Sequence, residues 1–246
     1  MYDRESIRHA KRISNPGCYA TSTQLLIAPL LRYIHRDHWP SIFGVSGYSG
    51  AGTIAGPPAP DGRPTTAPKV TPESLAGGIR PYSLTNHIHE REAGHHLSRL
   101  LPDPAYPMKV AFVPNVGPWF SGIISVLSMP LHGRISAREV QELYEERYKG
   151  EKLITIKKDV PSLPDVAGRH GWTVGGFQVH NEGDRAVVVV SSEFATLEIA
   201  FSLAWQGGLD NLLKGAATQC LQVCSSYSLQ VAALTHPTES EPFSWL

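Results

Sequence analysis

The tight turn Asn181-Glu182-Gly183-Asp184 lies between two apolar segments, 174–180 and 185–190. A turn that short joins antiparallel strands, because a parallel pair needs a crossover of a dozen residues or more. Further strand patterns fall at 41–46, 109–114, 122–129 and 153–156. Segment 122–129 is almost continuously apolar, as a strand buried on both faces would be.

Helical patterns lie between the strands. Segment 21–31 reads as helix, with Pro29 as a kink, and 89–101 and 209–222 read likewise. The clearest is 136–148, where Ser136 and Glu139 form a capping box and Val140, Leu143, Tyr144 and Tyr148 share one face. The segment 47–69 holds prolines at 57, 58, 60, 64 and 68 and reads as loop. Regular strand–helix alternation is missing, which argues against a doubly wound parallel sheet. The expectation is an α+β fold: a mixed, largely antiparallel sheet packed by helices on one face. A chain of 246 residues suffices for one large or two small domains.

Lys plus Arg and Asp plus Glu each total 22, so no charge excess points to nucleic acid or a membrane surface as partner. No apolar run approaches membrane-span length. Three cysteines (Cys18, Cys220 and Cys224) make no disulfide framework and fit a reducing compartment. The first six residues mix charges and read as neither a secretory signal nor a transit peptide.

Asn15-Pro16-Gly17-Cys18-Tyr19-Ala20-Thr21 carries the first chemical signal. Pro16 and Gly17 make a turn and a helix follows, so Cys18 sits where the positive end of the helix dipole favours thiolate. Thiolate is the form that attacks carbonyl carbon. Ser46-Gly47-Tyr48-Ser49-Gly50-Ala51-Gly52-Thr53 follows a strand, and its amides offer a cradle for phosphate or an oxyanion. Its glycines run opposite to the dinucleotide fingerprint.

Four of the eleven histidines lie in His87-Ile88-His89-Glu90-Arg91-Glu92-Ala93-Gly94-His95-His96. A metalloprotease-type zinc motif would need histidine where Ala93 stands. Cys220 and Cys224 lack a second pair, so no metal site is expected. One of the imidazoles is instead expected to act as acid and base for Cys18, since histidine both takes and returns a proton near neutrality. Nowhere does a strand run into Gly-x-Gly-x-x-Gly with an acidic residue about twenty positions later, so no complete Rossmann domain is expected.

These motifs, with Gly208-Leu209-Asp210-Asn211-Leu212-Leu213-Lys214-Gly215-Ala216-Ala217, occur in an order that resembles N-acetyl-gamma-glutamyl-phosphate reductase. That enzyme of arginine biosynthesis is a relative of aspartate-semialdehyde dehydrogenase. The wording is closest to the fungal form, made as part of a mitochondrial two-enzyme precursor with acetylglutamate kinase. The resemblance covers residues 2 to about 190, and 207–222.

It implies attack by Cys18 on the acyl phosphate of N-acetylglutamyl phosphate, and NADP as the hydride carrier. It implies His87 or His89 as the acid/base group, without choosing between them. Ser46, Gly47, Ser49, Gly50 and Asn211 would contact the cofactor, and Asn15, Arg80 and Arg91 the substrate. A homo-oligomer joined largely through the sheet and a mitochondrial location are also implied.

The expected division is 1–17 as the end of a cofactor-binding domain and 18–222 as the catalytic and dimerisation domain. Residues 191–206 form an insert without family counterpart, and 223–246 a divergent tail. The chain alone is expected to turn over negligibly. Alternative readings are a non-catalytic oligomerisation module and an aspartate-semialdehyde dehydrogenase-like enzyme.

Overall fold

The computed structural model describes residues 16–193, apart from 36, 64 and 104–106. Asn15, Asn211, the expected helix 209–222, the tail and most of the expected insert lie outside the described residues.

The chain enters through helix α1 (Cys18–Ile27), which passes at Ala28 into a 3₁₀ helix (Ala28–Tyr33). Pro29 marks this change, because it has no N–H to donate to the carbonyl of the preceding α-helical turn. Strand β1 (Ser41–Gly47) then leads into a 3₁₀ turn (Tyr48–Ala51). The stretch expected to be plain loop holds more order. Strands β2 (Thr53–Ala55) and β3 (Thr66–Pro68) pair there as a separate two-stranded ribbon. Helix α2 (Pro72–Leu75) and strand β4 (Arg80–Pro81) follow, both too short to leave a period in the sequence.

Helix α3 (Ile88–Ser98), strands β5 (Ala111–Gly117) and β6 (Ile123–Pro130), and helix α4 (Ala137–Arg147) come next. Strands β7 (Ile154–Ile156), β8 (Trp172–Val179) and β9 (Arg185–Ser192) close the described chain. The Ser136–Glu139 capping box forms as expected. So does the turn at Asn181–Asp184, where Gly183 takes a positive φ of 76°. Strand β9 runs two residues beyond the expected end at Val190, and Ser191 and Ser192 pair with both β6 and β8.

Seven strands make one sheet in the order β4-β5-β1-β6-β9-β8-β7. Only β1–β5 and β7–β8 are parallel, so the sheet is mixed and largely antiparallel. Helices α1, α3 and α4 pack on one face, over a core that includes Leu25, Leu26, Ile42, Phe112, Leu127, Val140, Tyr144, Val174 and Val188. On the opposite face Val113, Phe43, Val126 and Val189 stand side by side across four strands. Phe43 is 46% exposed and Val113 36%.

Helix α1 is buried along nearly its whole length and is tied at its far end. The Tyr148 hydroxyl donates to the Leu25 carbonyl at 2.8 Å, and the Tyr144 hydroxyl donates to that of Leu26. Carbonyls in a helix's last turn lack intrahelical donors, so these tyrosines fill a need and fix the helix by about 1 kcal/mol each. Their spacing on α4 is the apolar stripe read from sequence.

Candidate active site

Gly17 caps α1 without offering a side chain, and the first intrahelical bond runs from the Thr21 amide to the Gly17 carbonyl at 2.8 Å. Gly17 itself therefore gives the first turn no side-chain cap. The helix dipole acts there on Cys18, a half-buried reduced thiol at the first helical position.

The groups beside this helix start come from α3 and its N-cap. His87 is the N-cap of α3, and its Nδ1 accepts from the His89 amide at 3.1 Å. The His89 ring lies against the start of α1. A Cβ on Gly17 would lie 2.1 Å from His89 Nε2, so glycine is required for the ring to rest there. The His87 and His89 ring centroids are 4.8 Å apart, edge to face, and Tyr19 lies 6.2 Å from His89. One turn further along α3, Glu92 Oε1 accepts from the Gly17 amide at 3.1 Å. Glu92 Oε2 lies 3.8 Å from His89 Nε2.

Burial, with help from His87, pushes the His89 imidazole down to about 4, so it is neutral at pH 7. Its Nδ1 is buried with no hydrogen-bond partner among the described residues. His87 is lowered too, by burial, with Glu90 acting the other way. Burial raises the Glu92 carboxyl and the Gly17 amide lowers it, the net direction being upward. Tyr82 is pushed up to about 12, first by burial and then by the charge on Cys18. Tyr82 also packs edge-on to His87, 5.8 Å between ring centroids.

The Ser46–Gly50 turn joins this site through Tyr19. The Tyr19 ring covers Gly44, where a Cβ would lie 2.3 Å from the ring. Its hydroxyl donates to the Asn115 carbonyl at 3.1 Å and bonds with the buried Ser46. Gly47, Tyr48 and Ser49 donate their amides to the carbonyls of Gly122, Trp119 and Phe120. The expected cradle of amides is therefore closed at these three positions. Ser49 Oγ remains buried without a partner among the described residues, and Gly50 is exposed.

His87 and His89 thus come to the start of α1 that carries Cys18, with the Ser46–Gly50 turn adjoining. Arg80 on β4 and Arg91 on α3 are both exposed, and among the described residues no hydrogen bond or ion pair ties either to the cluster. Tyr19, Tyr82, Asn115 and Glu92 join the site without having been singled out in the sequence. Glu92 alone had a signal, standing one helical turn after His89. No group of three or more metal-ligating side chains occurs among the described residues.

An α+β domain with a cysteine at the start of a glycine-capped helix, beside a pair of histidines, is the class that fold and site define. The chain belongs to the semialdehyde dehydrogenase family: residues 18–193 match its dimerisation domain. It is 45% identical over 223 residues to "Protein ARG5,6, mitochondrial" of Candida albicans, and the match covers 90% of this chain and 22% of that protein. It is 46% identical over 222 residues to "Protein arg11, mitochondrial" of Schizosaccharomyces pombe, covering 90% of the chain and 21% of the relative. It is 41% identical over 219 residues to N-acetyl-gamma-glutamyl-phosphate reductase of Xanthomonas oryzae, covering 89% and 57%. The chain thus spans about a fifth of the fungal relatives and just over half of the bacterial one. Aspartate semialdehyde dehydrogenase II of Vibrio cholerae shares the fold, with a TM-score of 0.57 at 16% identity, over 92% of this chain and 65% of that one.

Proposed function

We propose that this chain forms the catalytic and subunit-joining part of an N-acetyl-gamma-glutamyl-phosphate reductase, with Cys18 as nucleophile. The observation that carries the reading is Cys18 at the first turn of α1, with the His89 ring lodged against Gly17. The names and identities of the bacterial and fungal relatives support the substrate.

In this reading His89 takes the thiol proton and the thiolate attacks the acyl carbon of N-acetylglutamyl phosphate. A C–S bond forms, the bond to the phosphate oxygen breaks, and inorganic phosphate leaves a thioester on Cys18. His89 is preferred to His87 because the Nδ1 of His87 already accepts the His89 amide, capping α3. His87 then orients His89. Arg80 and Arg91 are assigned to anionic groups of the substrate on charge alone.

NADP is the cofactor in this reading, and supplies hydride in its reduced form when bound. The described residues fit a polar edge of it, since the Ser49 hydroxyl is buried and unsatisfied beside exposed Gly50. They do not fit its diphosphate, because the amides of Gly47, Tyr48 and Ser49 already bond Gly122, Trp119 and Phe120. A homo-oligomer would close over the sheet face bearing Phe43 and Val113, as the match to a dimerisation domain supports. The fungal names support a mitochondrial location, which fractionation of cells producing the protein would check.

Acylation is testable without hydride transfer. Mixed with N-acetylglutamyl phosphate, the chain should release one equivalent of phosphate and gain the acyl mass on Cys18, and Cys18→Ser should do neither. Acyl mass on another residue, or none, sinks the reading. For the oligomer, Phe43→Asp should halve the sedimenting mass; an unchanged mass would place the contact elsewhere.

A further inference from the structure

Glu92 makes two contacts that packing does not ask of it. One carboxylate oxygen holds the Gly17 amide at 3.1 Å, and the other faces His89 Nε2 at 3.8 Å. The pair is largely enclosed, with side chains 26% and 18% exposed. The other titratable groups around the imidazole are Cys18 and Tyr19 from α1, Tyr82 and His87 from the segment before α3, and Glu90 from α3 itself. Glu90 Oε1 is already engaged, accepting the Phe112 amide at 3.0 Å.

A buried imidazole resists protonation, and His87 adds to the resistance. A carboxylate beside Nε2 does little for the neutral ring. Once Nε2 carries a proton, the same carboxylate faces a positive charge and an N–H donor. Glu92 therefore favours one protonation state over the other, which bare packing cannot do.

We propose that Glu92 is a positioning residue for Cys18: it locks the start of α1 to α3 through the Gly17 amide and supplies the counter-charge for His89. In the step it serves, the S–H bond of Cys18 breaks and an Nε2–H bond forms on His89. The negative charge stays on sulfur, and the positive charge lies on His89, whose Nε2 faces Glu92 at 3.8 Å. The proposal rests on Cys18 being the nucleophile.

The test is the rate of Cys18 alkylation by iodoacetamide against pH, read by peptide mass spectrometry, which separates Cys18 from Cys220 and Cys224. Glu92→Gln keeps an oxygen for the Gly17 amide and removes the charge. It should slow alkylation at pH 7 about tenfold and move the midpoint up by about one unit, with Tm nearly unchanged. Glu92→Asp keeps the charge with a shorter reach, and should recover part of the rate. A Glu92→Gln profile that superimposes on a fast wild type overturns this proposal alone. Equal slowing in both variants makes the effect one of shape, and also overturns it. A wild-type Cys18 no faster than a simple thiol overturns the nucleophile reading and this proposal with it.

Discussion

The two ends of α3 carry the same chemistry in different company. At the N-terminal end stand His87 and His89, and near the C-terminal end His95 and His96, the latter pair with ring centroids 5.5 Å apart. His96 resembles His89 closely: burial pushes it down to about 4, and its Nδ1 is buried without a partner among the described residues. His95 and Arg99 add to that shift, as His87 does for His89. Yet around His96 the helix makes packing contacts. A Cβ on Gly94 would lie 2.6 Å from the Met108 carbonyl oxygen, and the Ser98 hydroxyl donates to the Gly94 carbonyl while accepting the Met108 amide. A buried neutral histidine is thus not in itself a functional group. A cysteine at a helix start and a carboxylate beside Nε2 separate the two ends.

What the ends share should appear in acid. Unfolded, both rings take up protons as pH falls through 6.5; folded, His89 and His96 do so only near 4. Between those values the unfolded state binds more protons, so stability is full above the window and is lost as pH falls through it. The two rings together contribute on the order of 5 kcal/mol to that loss, reduced by partial exposure. Glu92 works the other way, since its raised carboxyl binds a proton earlier in the folded chain. Urea unfolding at pH 7 and pH 4.5 measures the difference, and equal stability at both would remove the premise that the rings are buried neutral.

What separates the ends should appear in Cys18. His89→Asn is expected to slow Cys18 alkylation at pH 7 about a hundredfold, while His96→Asn leaves it within about twofold. Similar slowing by both would erase the distinction. The two tight glycines sharpen it. Gly17→Ala and Gly94→Ala should each cost about 1–3 kcal/mol in thermal unfolding, because both added methyl groups overlap neighbours. Only Gly17→Ala should also slow Cys18, by displacing the His89 ring. Smallest is His95→Ala at an exposed position, with a stability change within about 0.5 kcal/mol.

Much of the fold was legible because it repeats locally. The stripe Val140, Leu143, Tyr144 and Tyr148, the capping box at Ser136 and the turn at Asn181–Asp184 are each set by neighbours a few residues apart. Strands β2, β3 and β4 and helix α2 were not, being only two to four residues long. Strand β9 was read two residues short, since Ser191 and Ser192 are held by pairing with β6 and β8 rather than by strand propensity. In the site, the turn before Cys18 and the crowded histidines stood out. The choice between His87 and His89 did not.

The sequence by itself determined that a cysteine opens a helix, that a helix rich in histidine lies elsewhere, and that the sheet contains a hairpin. Each follows from periodicity, turn chemistry or residue type, all of which act within a few positions. Only the tertiary structure decided that His89 rests on Gly17, that Glu92 reaches the same amide, and that Tyr144 and Tyr148 hold the far end of α1. These contacts join residues about 70 to 120 positions apart. No local preference encodes such a pairing: it arises because α1, α3 and α4 must bury their apolar faces on one side of the same sheet.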